Sequence, residues 1–473
     1  MYFLNYGSGQ NALYTYLLVP IFAFFGFTQV TIRVPALVSS FFLLFGGIGI
    51  INLVWKENWN LGTKKTAILI YVLIYGFSPY TQLSRRLGLE SLLMLGFSTF
   101  SLYLTLAAFQ RRKLVIFFLS GIAWGITLYT YAISYIVIPL FLLFSLVSIY
   151  KNKMMRMREC VLFFLPLFIL AIPLILEQYV NIFDKNEIKL GIFTVTRLIG
   201  YRSNEITLSN IPQNLFLTIK SMLLYDWLDY NTIKRYWTFY PISVPFFIIG
   251  LLKHVQLLFW GSKEKWKPSL YVFAWFASVF VVGLLLGKNN DLYSNPNTNK
   301  INAIFFATMF YITLGLCYFI KNIGKSKWRQ CLGIIVLFVY GAYSIHFVHY
   351  YFVYYKPTTF WAYRFPEITE FVKQSDSLMD KDIYTTERYY PGYITSELKS
   401  PYEFNFSTDQ WIKEYGRWKF GVDYYGIDAC VKQHGKKAMY LFREVPDWTY
   451  GYFQREGFKT QKDGALTLYY TDD

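Results

Sequence analysis

SLLMLGFSTFSLYLTLAAFQRRK, residues 91–113, decides the fold class. Its first 20 residues carry no charge, and Arg111, Arg112 and Lys113 then follow without a gap. At about 1.5 Å of rise per residue, roughly 20 apolar residues in a helix match the ~30 Å hydrocarbon core of a bilayer. Cations gathered at the end of such a run are what a cytoplasmic membrane face collects. The stretch therefore reads as a membrane span closed by a basic loop.

Outward from it, similar apolar runs occupy 34–55, 64–80, 114–130, 132–150, 160–177, 240–258, 268–287, 302–320 and 331–350. The stretch 114–150 is too long for one span even with tilt, and it divides at Tyr129-Thr130-Tyr131. Every second connection is basic. Lys56, Lys64 and Lys65 come first, then Arg111, Arg112 and Lys113, then Lys151, Lys153, Arg156 and Arg158. Lys253, Lys263, Lys265 and Lys267 continue the series, and Lys321, Lys325, Lys327 and Arg329 end it. With these inside, segments 81–90, 178–239 and 288–301 lie outside, as does everything after residue 350. The run ALYTYLLVPIFAFFGFTQ, residues 12–29, is short and holds Pro20 and Gly26, which suits an aromatic-rich helix in the outer interface. Met1 then falls outside, which carries the expectation of a further span and loop upstream of it.

Composition agrees. Only 16% of the 473 residues are charged against 55% hydrophobic, whereas soluble chains carry about a quarter charged. The net charge of +17 sits in short clusters between apolar runs, which excludes nucleic acid as its partner in favour of a membrane. Four cysteines, Cys160, Cys317, Cys331 and Cys430, form neither a metal spacing nor a disulfide framework. Tyr, Phe and Trp number 42, 45 and 13, an abundance that interface belts account for. His346 and His349 near the outer end of the last run read as interface anchors.

The expected fold is a polytopic α-helical membrane protein with about ten transmembrane helices, an interfacial helix and a small extracytoplasmic α/β C-terminal domain. Residues 1–355 form the membrane part, with a large external loop at 178–239, and 356–473 the soluble part. In the latter, Pro366–Gln374, Asp428–His434 and Asp447–Arg455 read as helices, and strands are expected from Asp382, from Ala438 and from Leu466. Ionisable groups avoid the span interiors and gather in the outer loops, which favours a site at the outer membrane face over a channel or a proton-coupled transporter.

Several ordered segments carry a family resemblance. They are Tyr6-Gly-Ser-Gly-Gln-Asn-Ala-Leu-Tyr-Thr-Tyr with Pro20, Arg33-Val-Pro, Ser84-Arg-Arg-Leu-Gly-Leu-Glu90 and Leu128-Tyr-Thr-Tyr-Ala-Ile-Ser-Tyr135. Thr194-Val-Thr-Arg197 with Tyr201-Arg202, Asp226-Trp-Leu-Asp-Tyr-Asn231 and Asn297-Thr-Asn-Lys-Ile-Asn302 follow. Their order and shared outer location resemble the GT-C class of integral-membrane glycosyltransferases, specifically bacterial relatives of protein mannosyltransferases and aminoarabinose transferases (family 39-like). The resemblance implies transfer of a sugar from a polyprenyl-phosphate carrier to a glycan, lipid or protein acceptor at the outer face of a bacterial plasma membrane. The leaving phosphate needs cationic donors and the acceptor hydroxyl needs a carboxylate base.

For the phosphate the resemblance points to Arg86, Arg197, Arg202, Arg33 and Lys300, the last standing where relatives often have Arg. Arg86 and Glu90 at i,i+4 would share a helix face, with Glu90 positioning the carrier or assisting a divalent metal such as Mg or Mn; a helix-end salt bridge is the plainer reading. Arg33 serves equally as a snorkelling anchor and Arg197 and Arg202 as a solvated loop face. Asp226 and Asn231 line an acceptor or sugar pocket or make a capped turn, and Tyr131 stacks on a sugar or anchors the interface. The family's base is an Asp in the first external loop, and no acidic residue precedes Glu57. It is therefore expected upstream of Met1, with Glu90 and Asp229 as the weak substitutes. Competing readings are a glycan ligase, a transporter or flippase for lipid-linked sugars, and a catalytically inactive membrane scaffold.

Overall fold

Each of the ten apolar runs folds as a helix. In the computed structural model, the described residues are 3–4, 10–26, 28, 30–55, 61–151, 155–185, 187–190, 193–197, 206, 208–228, 231–260, 268–287, 295–322, 327–355, 378, 380–386, 414–422, 424–442, 447–463 and 466–472. The chain divides into one unit of Met1–Ile21 with Ile32–Tyr355 and another of Phe22–Thr31 with Lys356–Asp473.

The first unit opens with the strand pair β1 (Phe3–Leu4) and β2 (Gln10–Asn11), followed by α1 (Leu13–Phe25), which holds Pro20 and whose residues from Phe22 on fall to the second unit. Next come α2 (Val34–Val54), α3 (Lys64–Phe77), the short α4 (Pro79–Ser84) and α5 (Ser91–Arg111). The run 114–150 breaks where tyrosine and threonine interrupt it, giving α6 (Leu114–Thr127) and α7 (Ser134–Lys151). In the break, Thr130 donates its hydroxyl to Thr127 O at 2.6 Å and Ser134 donates to Leu128 O at 2.8 Å, so side chains replace the interrupted ladder. Then α8 (Met157–Ile182) runs five residues past the apolar run that predicts it.

Among the described residues beyond α8 are the antiparallel pair β3 (Glu187–Leu190) and β4 (Phe193–Thr196), then α9 (Ile211–Ile219) with a π turn at Lys220–Leu224. The unit closes with α10 (Ser243–Trp260), α11 (Ser269–Leu285), α12 (Phe305–Asn322) and α13 (Lys327–Val353). Among the described residues, five stretches are long and apolar enough to cross a membrane: Thr31–Val54, Ser91–Arg111, Met157–Ile182, Asn302–Asn322 and Gly333–Val353. Helices α6, α7, α10 and α11 are apolar but shorter.

Glycines let these helices approach. Between apolar helices in lipid the hydrophobic effect offers little, so close backbone packing at small residues holds them. Gly46 of α2 lies on α5, where an added Cβ would come within 3.2 Å of Phe100 N and Cα. Gly96 of α5 meets the Ser39 carbonyl of α2, Gly121 of α6 meets the Phe163 carbonyl of α8, and Gly250 and Gly315 bring α10 and α12 together. Helix α12 is buried from Phe305 to Cys317 and forms the centre of the bundle. On α13, by contrast, Ile334, Leu337, Phe338, Ile345 and Phe352 stand exposed, the apolar surface of a helix that faces lipid.

The second unit carries β5 (Asp382–Thr385), β6 (Glu414–Tyr415), β7 (Trp418–Lys419), α14 (Tyr424–His434), β8 (Ala438–Phe442), α15 (Asp447–Arg455), β9 (Lys459–Asp463) and β10 (Leu466–Tyr470). The sheet order is β6-β7-β5-β8-β10-β9, with β5 parallel to β7 and β8 and the remaining pairs antiparallel. Val431, Tyr440, Phe442, Phe453, Phe458 and Tyr469 fill its core. Strand β9, Lys-Thr-Gln-Lys-Asp, has no apolar alternation and escapes the sequence reading; its polarity suits a protected sheet edge. The helix expected at Pro366–Gln374 lies outside the described residues.

Candidate functional site

The site begins where α3 ends. Ser78 and Pro79 stop α3 and start α4, since proline suits the first helical position and cannot continue the preceding helix. Helix α4 lasts only to Ser84, and α5 starts at Ser91. Residues 85–90 are therefore a non-helical linker, which overturns the shared helix face expected for Arg86 and Glu90. The two arginines of this linker part company.

Arg85 turns inward. Its Nε donates to Thr81 O at 2.8 Å and its Nη2 to Tyr75 O at 2.6 Å, and its guanidinium carbon lies 4.5 Å from the centre of the Tyr75 ring. Tyr75 is itself tied to α2, its hydroxyl donating to Ser40 O at 2.8 Å. Burial pushes the Arg85 guanidinium below its ordinary pKa, with Tyr75 pulling the other way, and it remains charged. Among the described residues no carboxylate pairs with it. Arg85 lines a pocket with Ser39, Ser40, Tyr75, Thr81 and Ser84, against the apolar walls of Ala36, Leu43, Leu92 and Leu95 and with Gly96 at its edge.

Arg86 turns the other way. Its guanidinium carbon sits over two rings, 4.9 Å from Tyr351 at the C-terminal end of α13 and 4.8 Å from Tyr355 just beyond it. Those residues are four apart, and their rings stack on each other at 5.6 Å. Arg86 thus holds α13 instead of facing the pocket lined by Arg85.

Two loop segments predicted separately meet. The Asp226 carboxylate accepts from Leu228 N–H at 2.8 Å, from the Thr232 hydroxyl at 3.2 Å and from Thr298 N–H at 2.5 Å. Asn231, fully buried, donates through Nδ2 to Thr298 Oγ1 at 3.1 Å and Asn299 Oδ1 at 2.7 Å. The Asn297 side chain caps the second segment, accepting from Asn299 N–H and Lys300 N–H at 3.1 Å each. Asn302 donates to Ser91 O, so the knot is fastened to the start of α5. Burial raises the Asp226 carboxyl above its ordinary value, against the pull of its donors from Thr298, Leu228 and Thr232. The Asp226 carboxylate and the Asn231 amide nitrogen therefore tie two loops together, the capped-turn arrangement, while Asn231 Oδ1 is buried with no partner among the described residues. Lys300 is buried in the same knot.

A second cluster surrounds Tyr135. Its hydroxyl meets the Asn11 side chain, and both Glu177 and Glu90 act on it electrostatically. Glu177 is buried near the end of α8, accepting from Gln178 Nε2 at 2.6 Å and Asn181 Nδ2 at 2.9 Å. Tyr131 packs partly buried against the membrane core, and Tyr129 donates to Leu170 O at 2.6 Å, an anchor in α8.

The other expected cations differ in kind. Arg197, following β4, pairs with Asp184 at 2.5 Å, both well exposed. Arg33 is exposed at the start of α2. Arg202 and Asp229 lie outside the described residues. Among the described residues no three His, Cys, Asp or Glu side chains group as a metal site. Sequence reasoning missed Arg85, Ser84 and Glu177. The signal for Arg85 was present in Pro79: a helix begun there and lasting a turn and a half puts Thr81 and Arg85 at i,i+4, so that Arg85 reaches back over its end.

No protein-family model and no curated protein matches the chain. Among solved structures the fold is similar to the crystal structure of ArnT from Cupriavidus metallidurans bound to undecaprenyl phosphate, at TM-score 0.54 and 11% identity, over 97% of this chain and 87% of that one. The apo state of ArnT from the same organism matches at TM-score 0.51 and 10% identity, over 96% and 86%. The likeness is one of fold: a largely helical membrane-protein architecture with a sheet-containing C-terminal part.

Proposed function

We propose that this chain is a polyprenyl-phosphate-dependent glycosyltransferase of a bacterial plasma membrane, with about ten spans and its C-terminal domain outside. It would move a sugar from the lipid carrier to a glycan, lipid or protein at the outer face. The observation that carries the reading is Arg85, a half-buried guanidinium with no carboxylate partner among the described residues, lining a pocket with polar and apolar walls. Such a group fits the phosphate of a lipid carrier, and the solved structure of similar fold was obtained with undecaprenyl phosphate bound.

In the reaction the acceptor oxygen bonds to the anomeric carbon as the carbon–oxygen bond to phosphate breaks. The bond electrons leave on the phosphate, whose growing charge Arg85 stabilises more strongly than the ground state. The acceptor proton passes to a carboxylate, for which Glu90, the last residue of the linker, is the weak substitute candidate. Arg197 supports the reading less well, because a phosphate would have to displace Asp184 from it.

The test is transfer from a radiolabelled polyprenyl-phospho-sugar in proteoliposomes. Arg85→Ala should reduce transfer at least about 100-fold with membrane insertion unchanged, while Arg86→Ala retains most of it. Full transfer by Arg85→Ala would refute the reading. Glu177 favours one alternative, a transporter of lipid-linked sugars, because it is a carboxylate buried in an apolar helix. Substrate crossing the bilayer without any glycosidic product would identify that activity.

A further inference from the structure

The pocket beside Arg85 contains an inventory of hydroxyls that can be followed one by one. Ser39 donates to Leu92 O at 2.8 Å and Leu93 O at 3.2 Å, bracing α2 against α5. Ser40 donates to Ala36 O at 3.0 Å. Thr81 donates to Tyr75 O at 2.7 Å and Ser78 O at 3.0 Å, and the Tyr75 hydroxyl is spent on Ser40 O. Ser84 is different. It lines the same pocket, is buried, and its hydroxyl has no partner among the described residues.

Arg85 shows the same reserve. Its Nε and one N–H of Nη2 are used, so the two N–H groups of Nη1 and the second of Nη2 have no acceptor among the described residues. The unused donors of neighbouring residues thus line one pocket. Open to the pocket and without a protein acceptor among the described residues, they are free to bond an entering anion, and hydrogen bonds to a charged group are the stronger kind.

We propose that Ser84 is the second donor of an anion subsite that takes a prenyl phosphate monoester, and that Tyr75 is the positioning residue for Arg85 within it. The proposal rests on the carrier reading above and specifies how that site works. Tyr75 holds Arg85 in two ways, through its ring beneath the guanidinium and its carbonyl oxygen on Nη2. Its hydroxyl on Ser40 fixes the ring against α2. The guanidinium plane is therefore set before ligand arrives, which spares the ordering cost of a flexible arginine. Ala36, Leu43, Leu92 and Leu95 supply an apolar wall for the first isoprene units, which a free phosphate lacks.

The experiment measures binding of farnesyl phosphate, inorganic phosphate and uncharged farnesol to the full chain in nanodiscs. Farnesyl phosphate should bind far more tightly than inorganic phosphate. Ser84→Ala should weaken it about tenfold, the worth of a hydrogen bond to a charged group, and Ser84→Thr should restore it to within about threefold. Tyr75→Leu, which removes the ring and keeps only the main-chain carbonyl, should also cost about tenfold, whereas Tyr75→Phe, which keeps the ring, should stay within about threefold. Farnesol binding should not change in any of these variants. If Arg85→Ala abolishes phosphate binding while Ser84→Ala and Tyr75→Leu match wild type, the subsite is overturned and the carrier reading stands. Equal losses for farnesol and farnesyl phosphate would reduce both residues to packing roles and also overturn it. Competition by inorganic phosphate as strong as that by farnesyl phosphate would overturn the lipid assignment. Undiminished binding by Arg85→Ala would sink the carrier reading itself.

Discussion

Gly96→Ala tests the contact on which the pocket wall depends. A Cβ at this position would fall on the Ser39 carbonyl oxygen and 2.6 Å from the carbonyl carbon, where ordinary contact begins at 3.4 Å. Both sides of the contact are helical backbone, so no rotamer can relieve it. Helices α2 and α5 would have to part by at least about 0.8 Å over their most extensive packing. Overpacking of this kind costs about 1–3 kcal/mol, partly offset by the ~1 kcal/mol that alanine gains over glycine in a helix. The matching control is Gly76→Ala in α3, where nothing lies within 4 Å and only the helical gain remains. The two variants should therefore separate by about 1–3 kcal/mol in opposite directions of thermal unfolding midpoint, measured in detergent. Because Gly96 also lines the pocket, its variant alone should lose farnesyl phosphate affinity. A Gly96→Ala protein as stable as Gly76→Ala, binding as wild type does, would refute the close approach of α2 and α5.

Asp226 predicts a pH dependence. Burial raises its folded-state pKa above the unfolded value of 3.8, so its contribution is complete below that value and lost as pH rises through the raised one. The stability of wild type relative to Asp226→Asn should accordingly fall as the pH rises above the unfolded value, in chemical denaturation, and a pH-independent difference would contradict the burial argument. At the other end of the bundle, Glu159 accepts from Arg156 N–H at 2.8 Å and from Arg112 Nη1 at 3.2 Å. Arg112 is half exposed, so Arg112→Ala should cost under about 1 kcal/mol and Glu159→Ala, which leaves the start of α8 uncapped, about 1–2 kcal/mol. Equal thermal shifts would transfer the effect to the ion pair. For topology, replacing Cys160, Cys317, Cys331 and Cys430 and adding Lys189→Cys or Lys113→Cys allows labelling of intact cells by an impermeant maleimide. Position 189 should label and position 113 should not; the reverse pattern would place the candidate pocket on the wrong side.

The helices were legible because a span leaves a long signal: twenty uncharged residues have few alternatives. Which helix lies at the centre was not legible. The runs of α12 and α13 read alike, yet one is enclosed by other helices and the other turns apolar side chains outward, a difference set by partners far away in the chain. In the site, Asp226 with Asn231 and Lys300 with Asn297 stand out in the sequence as two separate polar segments, and that they join was not legible. Their hydrogen bonds, made across about 70 residues of sequence, are long-range and have no periodic signature. Arg86 was chosen over Arg85 because i,i+4 spacing was applied to a stretch that is not helical. Glu177 escaped because α8 continues beyond its purely apolar part.

The contrast between Arg85 and Arg197 explains why a half-buried arginine without a carboxylate partner is the better carrier ligand. Arg197 faces Asp184 at 2.5 Å, so an incoming phosphate competes with a carboxylate already in place. Arg85 has no such competitor among the described residues, and the question is what holds its charge before the carrier arrives. The carbonyl of Tyr75 lies in the last turn of α3, where the helix dipole gathers partial negative charge, and the Tyr75 ring presents its electron-rich face. Neither is a full counter-ion. Together they keep the guanidinium ionised and oriented without neutralising it. The remaining imbalance is released when an anion enters, and it grows more favourable as the leaving phosphate gains charge. A carboxylate in the same place would have stabilised the resting protein more and the transition state less.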